Sequence, residues 1–273
     1  MSGKKQQWEP AVTEAELRVL TRELDEAHRT ALPHMHAAAV DLCEEIRDTE
    51  QVTEPRLDRR RFLVGLGAGA AALTLAACSP DSTSSNSKSA PNAPGSPAAA
   101  SDGASPYTGD LQVVALATAL ENQAVSAYRA ALQAATSGKL GTVPPAVATF
   151  AETAMAQHAD HAKAWNAVLT GAGKPAITDV PLKSQAAVMD ALGKVTDVPG
   201  VAKLALHLED QAAQTYLFAE FNVTSAPGIA TAATIAPVEA MHAAILNFLL
   251  GEYPVPNDFL PVDMAAKPSD LTV

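Results

Sequence analysis

Four stretches of the chain place ionisable side chains inside otherwise apolar helical stripes. In "LENQAVSAY" (120–128) and "LEDQAAQTY" (208–216), Leu, Glu, Gln, Ala and Tyr recur in the same order, which puts Glu121 and Glu209 in equivalent frames. The stripe Val114, Ala117, Glu121, Val125, Tyr128 and Leu132 follows the three-and-four spacing of one helix face, and Ala202, Ala205, Glu209, Ala212 and Tyr216 repeat it. A third stripe carries Ile235, Glu239, His242, Leu246 and Leu249, with Glu and His at i and i+3. The fourth carries Ala151, Ala154, His158, His161, Trp165 and Val168, with two His at that spacing. A lone carboxylate on a buried face costs several kcal/mol or goes neutral. Three of the six Glu and three of the four His after residue 107 occupy such positions. A dinuclear metal centre is the chemistry that compensates them, two divalent ions balancing the carboxylates with imidazoles as further ligands.

The elements that must hold these residues are long Ala- and Leu-rich segments with Gly and Pro punctuation. Helices are expected over 109–136, 145–169, 200–222 and 226–251, with a short helix over 184–195 in the crossover. At 1.5 Å rise per residue these lengths suit an all-α, up-down four-helix bundle with one long middle connection. A net charge of -11 argues against a nucleic-acid surface. The two cysteines, Cys43 and Cys78, make no disulfide framework.

Upstream of the bundle, "DRRRFLVGLGAGAAALTLAAC" (58–78) joins an arginine cluster to the uncharged run Phe62–Ala77. That run is shorter than the roughly 20 residues that span a bilayer. It resembles a twin-arginine export signal followed by a lipobox, with Cys78 as the lipidated residue. An uncleaved membrane helix is the competing reading, and both place the bundle extracytoplasmically. The domain plan is 1–57 as an N-terminal helical extension, cytoplasmic or a mis-assigned start, with Val52 as an alternative initiation point. The signal follows over 58–77, a Ser- and Pro-rich disordered tether over 78–106, the bundle over 107–262 and a tail over 263–273. In the extension, Leu17, Leu20, Leu24 and Ala27 form a stripe, and His34, His36 and Cys43 have no standard metal spacing.

One Glu on each of two helices with Glu-x-x-His on the other two resembles the ligand set of ferritin-like di-iron and di-manganese carboxylate bundles, and in particular the exported ferritin-like domain proteins of bacteria. "LENQAVSAY", "HADHAKAWNAVL", "LEDQAAQTY" and "VEAMHAAILNFLLGEYPVP" carry the likeness. It implies a dinuclear iron or manganese centre on Glu121, His158, His161, Glu209, Glu239 and His242, with Fe(II), oxygen or peroxide chemistry. His158 stands where the family has a Glu, a change that favours zinc or copper, a single metal, or none. If one metal position is altered, it is expected to be the one nearest His158. Glu152 and Asp160 lie off that face. Tyr128 and Tyr216 either bond the glutamates or end the core, with the core role preferred; Trp165 reads as core, and His207 as a surface residue. The alternative function is a non-catalytic interaction module of the cell envelope with a degenerate metal site. A closed storage shell fits poorly with a membrane tether.

Overall fold

In the computed structural model, residues 8–53, 105–256 and 261–273 are described. The described residues form six α-helices: α1 Glu14–Thr53, α2 Asp110–Thr136, α3 Pro145–Gly171, α4 Gln185–Lys194, α5 Val198–Asn222 and α6 Ala226–Leu250, with a 3-10 turn at Pro268–Asp270. The described residues form no strands, in keeping with the expected all-α bundle. α2 pairs with α3 and α5 with α6 as two hairpins, and α2 meets α5 between them.

Local chemistry sets the helix ends. Asp197 accepts from the Gly200 N–H at 2.8 Å to cap α5. Ser225 caps α6 in the same way on Gly228, and Gly251 closes it in the left-handed conformation at φ 84°. Asp110 at the first turn of α2 accepts from the Ser225 N–H at 2.9 Å, tying the start of one hairpin to the turn of the other. The crossover is pinned down by Asn122, which donates to the Ile177 and Asp179 carbonyls at 2.9 and 3.0 Å. Gln123 donates to Ser184 and Gln185 at 3.1 and 3.0 Å. Gln211, its counterpart in the second repeat, donates to the Met264 carbonyl at 3.4 Å. These glutamines anchor connections rather than serve the site. The segment 263–273, expected as a tail, is held too: the Ala266 N–H donates to Thr215 Oγ1 at 2.9 Å and the Thr272 N–H to the Pro181 carbonyl at 2.9 Å.

α6 is the one described helix long and apolar enough to cross a membrane. It pairs with α5 and buries Glu239 and His242, as the central helix of a packed bundle does.

Residues 1–57 are expected from sequence as an N-terminal extension, whereas α1 is seated on the bundle. Its residues up to Thr49 belong with Ser105–Val273 to one compact unit. α1 starts with a capping box, Glu16 N–H donating to Thr13 Oγ1 at 3.2 Å and Thr13 N–H to Glu16 Oε2 at 2.9 Å. Its first end meets the last turn of α6, where the Ala11 N–H donates to the Leu249 carbonyl at 3.3 Å. Its far end meets the start of α6, where Ser225 Oγ donates to Glu45 Oε2 at 2.9 Å. There it also crosses the end of α3 so closely that a Cβ on Gly171 would lie 2.2 Å from Cys43 Sγ. α1 therefore runs antiparallel to α6 along the groove between α3 and α6. The buried face is Leu17, Thr21, Leu24, His28, Met35, Ala39 and Leu42, and these apolar side chains join both hydrophobic clusters of the core. Each buried Leu or Met contributes roughly 1.5–3 kcal/mol. The signal segment, Cys78 and nearly all of the expected tether lie outside the described residues.

Candidate metal centre

All six expected ligand residues meet in the middle of the bundle, each at most 2 % exposed. α2 brings Glu121, α5 brings Glu209, α3 brings His158 and His161, and α6 brings Glu239 and His242. They form two overlapping sets, Glu121–His158–His161–Glu239 and His158–Glu209–Glu239–His242; within each, one ligand atom per residue lies within 4.8 Å of the others. Glu239 and His158 belong to both. A carboxylate has two oxygens to share between two ions, whereas a neutral imidazole offers a lone pair to one. Thus His158 does not mark one altered end, as the sequence led us to expect, but occupies the middle.

His158 is held on both ring nitrogens, Nδ1 to Glu121 Oε2 at 2.7 Å and Nε2 to Glu209 Oε1 at 3.2 Å. His242 Nδ1 lies 3.2 Å from both Glu209 Oε2 and Glu239 Oε2, and its Nε2 meets Gln157 Oε1 at 2.9 Å. His161 differs. Its Nδ1 is 2.9 Å from Glu239 Oε1 and 3.4 Å from Glu121 Oε1, ion-pair distances, yet neither His161 Nδ1 nor Glu239 Oε1 is in alignment for a hydrogen bond.

The two repeats turn out to be hydrogen-bonded to each other. Tyr128, seven residues after Glu121, donates to Glu209 Oε1 at 2.5 Å. Tyr216, seven residues after Glu209, donates to Glu121, and Trp165 Nε1 donates to the Tyr216 oxygen at 2.9 Å. The core role preferred for these tyrosines is therefore incomplete: their rings pack, and their hydroxyls orient the carboxylates of the opposite hairpin. Trp165, read as core, is the outer end of that chain. Gln157 and His28 also border the site and were not recognised in the sequence. Gln157 precedes His158 and carried no stripe signal of its own. His28 does carry one, since Leu17, Thr21, Leu24 and His28 follow four-three-four spacing; it is His28 that is buried, and Ala27, expected on the stripe, is exposed. The residues set aside stay outside: Glu152, His34, His36 and His207 are exposed, and Asp160 is half-buried. Buried Cys43 accepts from Arg47 at 3.0 Å.

Burial pushes the Glu121 carboxyl up, but the nearby His161 charge and the hydrogen bond and charge of His158 outweigh it and hold the group at about 2. Glu209 is likewise held well below the ordinary range by His158 and His242 against its burial. Burial disfavours the imidazolium of His161, yet Glu121 and Glu239 raise it to about 9. His158 is raised well above its usual value by Glu239 and Glu209, and His242 is raised by Glu209, both against desolvation. Without metal, the three imidazoles and the carboxyl groups of Glu121 and Glu209 thus hold one another in their charged forms. His28 goes the other way: burial, then His161, lowers it to about 4, so it is a neutral base at pH 7.

The donor set fits divalent metal. Two sets of four mixed N and O donors share a carboxylate, and His161 Nδ1 and Glu239 Oε1 are buried, adjacent and unsatisfied, which a common ion would relieve. Two such ions carry one positive charge more than three carboxylates neutralise. A cavity of about 10 Å³, room for about one water, reaches Glu121 and His158 between α2 and α5.

A family model of the ferritin-like domain matches residues 109–252, which covers both hairpins and all six residues of the cluster. No curated protein and no solved structure matches the chain. With more than half of its length matched by this model, the chain belongs to the ferritin-like domain family.

Proposed function

We propose that this chain is a metal-binding ferritin-like protein whose centre holds two divalent ions, iron or manganese by family, and acts on Fe(II), oxygen or peroxide. The observation that carries this is the pair of four-residue sets sharing Glu239, with buried His161 Nδ1 and Glu239 Oε1 left unsatisfied between them. Redox-active ions in such a centre supply one-electron steps to oxygen species. The chain's own residues do the rest. Tyr128 and Tyr216 fix the rotamers of Glu209 and Glu121, Gln157 holds the outer nitrogen of His242, and apolar packing around the cluster restricts water. The three-imidazole, three-carboxylate character that His158 brings supports zinc or copper as alternative occupants.

The arginine cluster and "LAAC" support export by the twin-arginine route, with a lipid on Cys78 tethering the bundle to the extracytoplasmic face of the membrane. Processing before Cys78 would detach α1 and leave the six-residue set alone in the mature domain.

One observation favours a second reading, an interaction module without metal: the six side chains largely satisfy one another by hydrogen bonds and opposite charge. Anaerobic Fe(II) titration of the chain, followed by oxygen uptake, separates the two. Saturation at about two Fe(II) per chain and oxygen consumption, both lost in Glu239→Ala, support the metal reading. No Fe(II) binding, with thermal stability indifferent to Fe(II), Mn(II) and Zn(II), sinks it.

A further inference from the structure

Four buried side-chain polar atoms among the described residues have no hydrogen-bond partner: His28 Nε2, Gln157 Nε2, His161 Nδ1 and Glu239 Oε1. They are not scattered. All four lie on α1, α3 and α6, the helices that enclose the groove where α1 is seated. None lies on α2 or α5, where Glu121 and Glu209 are satisfied by tyrosines and His158. His161 Nδ1 and Glu239 Oε1 face each other as an ion pair at 2.9 Å without hydrogen-bond alignment, but buried polar groups without a hydrogen bond are rare, so a concentration of them marks a missing partner.

His28 is the member that the six-residue set does not include. It lies on a helix outside the span matched by the family, and it is 4 % exposed. It interrupts a seam that is otherwise Leu17, Leu24, Met35, Ala39 and Leu42. The other polar residue of that seam, Thr21, satisfies its hydroxyl on the Leu17 carbonyl at 2.8 Å, whereas His28 gains no such bond. A leucine would serve packing there better. The His28 ring stands 5.2 Å from that of His161, centroid to centroid, tilted by 55°. The pair His158 and His242, within one ligand set, has nearly the same relation, 5.1 Å and 49°. Two imidazoles that bind one ion at about 2.1 Å bring their centroids to about 5 Å at ordinary coordination angles.

We propose that His28 is a seventh side chain of the metal centre, a nitrogen donor that the N-terminal helix brings to the His161 end, so that α1 completes one metal position in the full-length chain. With it, the His161 end gains a second imidazole, the His242 end keeps its own, and Glu239 and His158 stand between them. The inference rests on the metal reading above.

The test is Co(II) titration of full-length chain, wild type against His28→Leu, read by ligand-field absorption and by X-ray absorption for imidazole scattering. His28→Leu is chosen because it continues the apolar seam, and His28→Gln gives the same comparison with a polar side chain of similar size. Wild type is expected to bind two Co(II) with about two imidazoles per ion. Both variants keep the fold by circular dichroism, weaken one of the two ions at least tenfold, and lower the mean imidazole count. Unchanged affinity, stoichiometry and imidazole count in both variants would overturn the role of His28 while leaving the six-residue centre standing. Failure of the wild type to bind Co(II) would overturn both.

Discussion

Metal binding to this cluster must expel protons, and its pH dependence follows from the structure. His161 in the metal-free chain is raised to about 9 by Glu121 and Glu239, so at pH 7 it carries a proton that an ion has to displace. One pH unit is worth about 1.36 kcal/mol, so the two-unit gap weakens binding through His161 alone by about 100-fold relative to a neutral ring. His158 and His242 are raised as well and add their own protons. Affinity for Zn(II), a redox-inert probe, should therefore climb by at least tenfold per pH unit from pH 7 toward 9, and more steeply where a second or third imidazolium is displaced. Calorimetry in two buffers of different ionisation enthalpy counts the protons directly. The expected release at pH 7 lies between one and three per chain, approaching three when all three imidazoles of the six-residue set ligate. Tight Zn(II) binding with no proton release, or with affinity flat from pH 7 to 9, would refute the ion-pair description of the metal-free cluster.

The same groups set the stability of the metal-free chain. Glu121 is depressed to about 2, so its contribution is present above about 4.5 and lost as pH falls toward 2, whereas that of His161 is full below 6.5 and lost as pH rises through about 9. Urea denaturation without metal should thus show greatest stability from these pairs between about pH 4.5 and 6.5, with added Zn(II) restoring the alkaline side. Tyr128→Phe removes one hydrogen bond to a buried carboxylate and should cost roughly 1.5–3 kcal/mol in the same assay. Tyr216→Phe should cost about 1 kcal/mol more, because it also orphans Trp165 Nε1. Leu24→Ala and Leu42→Ala, on the buried face of α1, should each destabilise the full-length chain by about 2–5 kcal/mol; a loss near zero would mean that α1 does not pack on the bundle. Mass spectrometry of the N-terminus of membrane-extracted protein should find lipidated Cys78 as the first residue, and an intact residue 1–77 segment would instead keep α1 with the domain.

Much of the bundle was legible because its signals are local. Pro145, Gly251 and the caps at Asp197 and Ser225 bound the helices within one or two residues of where the apolar periodicity begins and ends. The six side chains at the centre were legible for a related reason: an ionisable residue on a three-and-four apolar stripe stands out against Ala and Leu. What stayed hidden depends on contacts between elements distant in the chain. The repeat spacing shows that Tyr128 and Glu121 share a face, but not that each tyrosine reaches across to the glutamate of the other hairpin. His158 could be placed opposite the family's Glu, but not in both four-residue sets, since that depends on how far α5 and α6 stand from α3. The docking of α1 was hidden most deeply. A stripe with Thr21 and His28 in it looks weakly amphipathic, and the arginine cluster and apolar run that follow it separate residues 1–57 from the bundle along the chain.

The central claim is that two ions sit among these side chains. Anomalous diffraction at the absorption edge of the bound metal, on crystals of the full-length chain grown with Mn(II), tests it most directly. The account predicts two peaks about 3.5–4 Å apart with Glu239 between them, one bounded by Glu121 and His161 and the other by Glu209 and His242. An ordered Glu121–His158–Glu209 network with no peak inside the bundle at saturating Mn(II) would contradict it.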